Sequence, residues 1–265
     1  MPRKGSIIMS RLISLKQKLA ARENVLGTTV SSISWSGMIQ KLALFPLDFL
    51  LFDLEHGTLN IESIEEMLRM CRLTDLPSIV RVPDSLPHLI SKTLDMGADG
   101  VLIPRVESVE QLDIAVRAAR YYPRGRKGCG GFSNLRAEDN GSVAEYNDNR
   151  MIFIQMESAE GLEALPSILN KHSGELAGVI IGPYDTSIML GTPLDIESDV
   201  MTEYIRNVFA CCNEHGVSCG SFVDHAGMFE RYRSLGGNIF WTSSVLSLML
   251  QGVDNLCKSF GEMNQ

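Results

Sequence analysis

The sequence predicts a single (β/α)8 barrel, and three observations carry that prediction. Eight short apolar or β-branched runs alternate with longer segments of helical period over most of the 265 residues. Helix start and stop signals stand between them, and no GxGxxG follows the first run, as a doubly wound dinucleotide-binding sheet would require. No linker, low-complexity tract or internal repeat divides the chain, so residues 1–265 read as one domain.

Each element has a local reason. The runs fall at 25–31, 49–54, 78–82, 100–103, 152–156, 178–181, 217–223 and 238–242. Helical stretches fill 61–72, 86–96, 109–120, 161–171, 200–215 and 226–235. Asn60 precedes an acidic first turn, Asp84 and Ser85 precede Pro87, and Asp224 precedes another helix, all good starts. Gly97 and Gly236 end helices just before strands. The first 22 residues carry six basic residues and no acid. They read as an amphipathic helical extension with Leu12, Leu15 and Leu19 facing the protein, since Ile7-Ile8-Met9 is too short for a secretory segment. One gap breaks the rhythm. Nearly fifty residues separate the fourth and fifth strands, and YYPRGRKGCGGFSNLRAEDNGS fills most of the second half. A loop this long is usually functional or disordered, and the sequence reading places it on the C-terminal face of the barrel.

Composition narrows the classes of function. Apolar residues are 45% of the chain, enough for a sizeable core, and the formal net charge is −8. Such an acidic chain has no general attraction to nucleic acid or anionic membrane, and no apolar run approaches a membrane span. The six cysteines form no CxxC pair and read as reduced thiols of a cytoplasmic protein; Cys129, in the Gly-rich loop, is expected to be exposed and passive.

The chemistry is expected where strands end. FDLEHG follows the second strand with Asp53, Glu55 and His56; Arg81 ends the third; Gln155 and Glu157 end the fifth; IIGPYDTS brings Asp185 after the sixth. Each alone has an ordinary reading as a helix cap or ion-pair partner. Together they converge on one mouth of a barrel. Glu157 and Asp185 are hard oxygen donors without a cysteine or second histidine beside them, which suits Mg2+ or Mn2+ with positions left for substrate. Such an ion acidifies the carbon next to the oxo group of a 2-oxo acid. Arg81 would stabilise the enolate oxygen, and His56, read as the strand-end histidine among five, would move the proton. No lysine stands at a strand end: Lys92, Lys171 and Lys258 lie in helical segments and Lys127 in the long loop, so Schiff-base chemistry is disfavoured.

The sequence resembles the HpcH/HpaI aldolases, class II enzymes that depend on a divalent metal and use pyruvate. The resemblance runs from about Leu15 to Phe260 through FLLFDLEHG, IVRVP, LDMGADGVLIPRVES, YYPRGRKG, IQMES and IIGPYDTS. It implies His56 as base acting through bound water, Asp95 as the acid that orients it, and Arg81 as enolate stabiliser. It implies Glu157 and Asp185 as metal ligands (Mg2+, Mn2+ or Co2+), Gln155 as a substrate contact, Tyr184 as the residue whose backbone amide meets the substrate carboxylate, and Asp53 as support for the metal's water shell. It further implies a homohexamer with helices exchanged between barrels and sites completed by the adjacent subunit. The implied reaction is reversible cleavage of a 4-hydroxy-2-oxo acid to pyruvate and an aldehyde. Other enolate fates share the motifs: oxaloacetate decarboxylation, citrate-lyase-like thioester cleavage, carbon–carbon bond formation in secondary metabolism, or metabolite binding without catalysis. Lys127 stands where the family commonly has Arg, Thr186 where it often has Leu, and the run 129–132 also departs. These changes bear on the aldehyde, and Glu55 receives no role.

Overall fold

The apolar runs form eight parallel strands that pair in chain order and close, the last on the first. The structure is a computed structural model and describes residues 9–130 and 135–263. In order the elements are α1 (Arg11–Ala20), β1 (Val25–Val30), α2 (Ser36–Leu42), β2 (Phe49–Asp53), α3 (Ile61–Leu73), β3 (Ser78–Arg81), α4 (Pro87–Asp95), β4 (Gly100–Ile103) and α5 (Val109–Ala119). There follow α6 (Val143–Asn149), β5 (Met151–Met156), α7 (Ala159–His172), β6 (Gly178–Ile181), α8 (Pro183–Met189), α9 (Asp199–Glu214), β7 (Cys219–Val223), α10 (Ala226–Ser234), β8 (Ile239–Ser244) and α11 (Val245–Met263). Every strand begins and ends within two residues of its sequence signal. Among the described residues no helix is long and apolar enough to cross a membrane.

Strand alternation sorts the core into an inside and an outside. Phe49, Leu51, Ile79, Leu102, Met151, Phe153, Ile180, Ile239 and Trp241 pack together on the barrel axis. The residues between them, such as Leu50, Phe52 and Val80, pack outward with α2 and α3, and Val101, Ile103, Ile152, Ile154, Val179 and Ile181 pack outward with α5, α7 and α9. The axis is filled: the space left among the inner side chains is about 10 Å3. Gly27 faces the Phe49 ring so closely that a Cβ there would stand 2.4 Å from it. Helix α1 closes the N-terminal end, with Leu12, Leu15 and Leu19 buried against the inner cluster. Its Ser10 N-cap accepts from the Ile13 amide, and Lys18 pairs with Asp48 just before β2.

The long segment after α5 lies at the N-terminal face, not at the C-terminal face that the sequence reading expects. Chain direction is the reason: β4 runs toward the C-terminal face and α5 brings the chain back before the segment begins. Its anchors confirm the placement. Arg126 and Lys127 donate backbone N–H groups to Arg117 and Arg120 (2.7 and 2.9 Å). Arg136 pairs with Asp99, directly before β4, and Lys16 of α1 donates to Asn149 (2.9 Å). Two buried arginines tie the same face together. Arg150 pairs with Asp139 (2.7 Å), and Arg120 reaches Glu175 (2.9 Å) and the Arg150 carbonyl (2.8 Å). Cys129 is exposed there. Residues 131–134, which include part of the departing run 129–132, lie outside the described residues.

Candidate active site

The same alternation that builds the core carries polar groups to the C-terminal mouth. Counting on from Phe49 and Leu51 gives Asp53; from Ile79, Arg81; from Met151 and Phe153, Gln155 and then Glu157. These four continue the inward rows, and Asp53, Gln155 and Glu157 are buried. Gly182 follows Ile180 in the same row. A Cβ there would stand 2.2 Å from Gln155 Nε2 and 2.4 Å from Glu157 Oε1, so glycine makes room for that pair.

Asp53 organises the turn after β2. It accepts from the backbone amides of Glu55 (3.0 Å) and His56 (3.2 Å) on Oδ1. Arg81 donates to both its oxygens, from Nε (2.8 Å) and Nη2 (2.6 Å), a bidentate pair. Gly57, at φ +103°, lets the turn pass Ser31, whose carbonyl a Cβ would meet at 2.4 Å. Burial alone would lower the Arg81 pKa, but Asp53, then Glu55 and Glu157, raise it above the usual arginine value.

Glu55 lies between two arginines. Its Oε2 is 3.2 Å from Arg81 Nη1, and its Oε1 accepts from Arg105 Nη2 (3.0 Å). The sequence reading gave Glu55 no role and did not select Arg105. Arg105 also donates its backbone N–H to Glu157 Oε2 (3.3 Å). Nothing in the spacing of residues 55, 105 and 157 announces this contact; only barrel closure creates it. Glu107 and Ser158 were missed as well: Ser158 Oγ donates to Glu107 Oε1 (2.6 Å) on the same wall.

Glu157 carries the electrostatic demand of the site. Burial first, then the charges of Glu55 and Asp185, push its carboxyl up from 4.5 to about 7, against the pull of Arg81 and the Arg105 N–H. Gln155 Nε2 donates to Glu157 Oε1, and Gln155 Oε1 is buried without a hydrogen-bond partner among the described residues. Carboxylates crowded until one prefers its proton form a place where a cation is favoured. Among the described residues no cluster of three or more His, Cys, Asp or Glu stands ready for a metal; Glu157 and Asp185, which line one cavity, are two carboxylates that could hold one there. That set fits an ion such as Mg2+, which takes one or two carboxylates and fills the rest from water and substrate.

His56 is half exposed, with Nε2 3.3 Å from Asp185 Oδ2. It is not the sole histidine beyond a strand: His225 follows β7, but its Nε2 faces Glu197 at 3.8 Å. A cavity of about 130 Å3 is lined by His56, Glu55, Glu157, Asp185, Arg105 and the apolar Ile188 and Met189. Tyr184 is in the first turn of α8, its ring 5.8 Å from that of Phe222. Asp95 is not brought to His56 in this chain. It ends α4 at the N-terminal face, where Lys127 Nζ holds its Oδ1. That ammonium is enclosed by the rings of Tyr121 and Tyr146, 5.0 and 5.9 Å from their centroids.

Residues 31–244 match the family model described as HpcH/HpaI aldolase/citrate lyase. A hydroxypyruvate/pyruvate aldolase of Roseovarius nubinhibens is 32% identical over 234 residues, 85% of this chain and 88% of that protein. A 5-keto-4-deoxy-D-glucarate aldolase of Escherichia coli is 28% identical over 249 residues, 92% of this chain and 95% of that protein. The crystal structure of an HpcH/HpaI aldolase from Desulfitobacterium hafniense superposes with a TM-score of 0.83 at 27% identity, over 92% of this chain and 95% of the other. The chain therefore belongs to the HpcH/HpaI aldolase/citrate lyase family, a family of carbon–carbon lyases.

Proposed function

We propose that the protein is a metal-dependent aldolase that reversibly cleaves a 4-hydroxy-2-oxo acid to pyruvate and an aldehyde. The observation that carries this reading is the meeting of His56, Asp185 and a buried, cation-seeking Glu157 beside the Arg81–Asp53 pair. Glu157 and Asp185 are the residues that would hold the ion, Mg2+, Mn2+ or Co2+. Once bound, the ion draws electron density from the 2-oxo group and makes the adjacent carbon acidic.

The chain's own residues do the rest. His56 accepts the proton of the C4 hydroxyl through a water, the C3–C4 bond breaks, its electron pair passes into the pyruvate enolate as the aldehyde leaves, and His56 returns the proton to the enolate carbon to give pyruvate. In the reverse direction His56 takes a proton from the pyruvate methyl group. Arg81, locked by Asp53 and Glu55, is a fixed positive charge for the enolate oxygen; preorganised groups of this kind are typically worth about 3–4 kcal/mol. Asp53, whose oxygens serve Arg81 and two loop amides, holds Arg81 in place and would support the ion's water shell. Gln155, whose Oε1 has no partner among the described residues, contacts the substrate by accepting from its hydroxyl group, and the Tyr184 amide, which has no intrahelical acceptor in the first turn, receives the carboxylate.

The adjacent subunit of a homohexamer supplies Asp95 to orient His56. The exposed apolar side chains of α11, Leu248, Met249, Val253 and Leu256 among them, support exchange of that helix between barrels. A cytoplasmic setting is consistent with cysteines that remain thiols.

The test is proton NMR of pyruvate in D2O with the purified protein, first with Mg2+ or Mn2+ and then with EDTA. We expect metal-dependent loss of the methyl signal in the wild type and little or none in Glu157→Ala or His56→Ala. No exchange by a folded, metal-binding wild type would sink the pyruvate reading.

A further inference from the structure

We propose that the protein carries a second ligand site, at the end of the barrel opposite the mouth, that binds a phosphate-bearing anion through Lys16. The site is independent of the aldolase reading.

A cavity of about 420 Å3 opens there, larger than the one of about 130 Å3 at the mouth. Chain direction fixes its place. Arg150, Ala177 and Ser218, which directly precede β5, β6 and β7, line it, and Lys16 and Leu19 of α1 line it from the helix side.

Charge sets what the cavity can hold. In a chain of formal charge −8 it is lined by four cations, Lys16, Arg120, Arg124 and Arg150, against two carboxylates, Asp148 and Glu175. Arg150 is spent on Asp139 (2.7 Å), which does not line the cavity. Glu175 accepts from Arg120 Nε (2.9 Å) and from Arg124 Nε and Nη2 (3.0 and 2.7 Å). Asp148 accepts from Arg124 Nη1 (2.5 Å). Two arginines therefore answer the two acids, and Lys16 is left over. Its half-buried Nζ donates to the neutral Asn149 Oδ1 (2.9 Å) and makes no ion pair among the described residues. Burial lowers its pKa; Asp148 opposes this, while the charges of Arg120 and Arg150 add to the lowering. An incoming anion relieves a cation so placed.

Geometry then selects the anion. A planar carboxylate is best matched by a guanidinium fork, and the forks here are engaged with Glu175, Asp148 and Asp139. What remains is a compact ammonium with two of its three N–H groups unspent, a point charge that suits the tetrahedral oxygens of phosphate. Leu19, Leu176 and Val217 on the same lining give an organic portion apolar surface to lie against.

The experiment is calorimetric titration of the full-length protein with inorganic phosphate, glycerol 3-phosphate and succinate at matched ionic strength, in EDTA so that no ion at the mouth holds the phosphate. The proteins are wild type, Lys16→Met, Lys16→Gln and, as a control for binding at the mouth, Arg105→Met, each checked for fold by circular dichroism. Methionine keeps the apolar stem; glutamine keeps a donor for Asn149. Either one alone suffices to read the loss of the charge. We expect one phosphate-bearing anion per chain, bound tenfold or more weakly by both Lys16 variants and within about twofold of wild type by Arg105→Met. Tighter binding of glycerol 3-phosphate identifies an organic phosphate as the ligand, and equal binding identifies free phosphate. The proposal is overturned if neither phosphate binds the folded wild type below about 10 mM. It is equally overturned if the Lys16 variants bind as tightly as wild type, if Arg105→Met removes the binding, or if succinate binds more tightly than both phosphates.

Discussion

Glu157 gives the protein's stability a dependence on pH in the absence of metal. Its carboxyl is held up to about 7, against 4.5 ordinarily, by burial and by the nearby Glu55 and Asp185. The folded state therefore keeps a proton that the unfolded chain releases between those values, and the contribution of Glu157 to stability falls as the pH rises from about 4.5 to about 7. The loss is on the order of 3 kcal/mol. Glu157→Gln removes the titration, so the difference in unfolding free energy between about pH 5 and 8, read by urea titration in EDTA, should shrink by a comparable amount. Addition of Mg2+ should restore the wild type at the upper pH and leave Glu157→Gln nearly unchanged.

The helices and strands divide into those whose position the sequence reveals and those it hides. Strands were legible because a buried parallel strand needs a continuous apolar run, and helices because start signals such as Asn60, whose side chain caps α3 in a capping box, precede them. Asp53, Arg81, Gln155 and Glu157 were legible because they end those runs. The contact of Glu55 with Arg105 was not, because it joins two loops that are neighbours only in the closed barrel. The face occupied by the segment after α5 was misjudged because its Gly- and Arg-rich composition resembles that of a binding loop, whereas the direction of the preceding helix fixes its place. Helix α1 offers a direct check of packing. Leu15 is 1% exposed, and Leu15→Ala should cost about 2–5 kcal/mol, measured as a lower urea midpoint, with its effect on activity following the fraction folded.

As a whole, the molecule has its mouth at one end and Asp95, clamped by Lys127, at the other. A chain so arranged cannot bring its own Asp95 to its own His56. If neighbouring subunits exchange these residues, His56→Ala and Asp95→Asn chains should each be inactive alone yet recover activity when unfolded and refolded together, in roughly one site of four by random assortment. Pyruvate exchange after refolding measures it, and no recovery in a properly assembled mixture would mean that Asp95 serves no neighbour. The inward rows have a further consequence, for the history such a chain can have. Asp53, Arg81, Gln155 and Glu157 are the uppermost course of the same masonry as its core, laid in one register. A single residue inserted in β5 above Phe153 would turn Gln155 and Glu157 toward the helices and Met156 toward the axis. New chemistry can therefore enter this barrel by exchange of side chains at fixed posts or by rebuilding of loops, but not by the slippage of a strand.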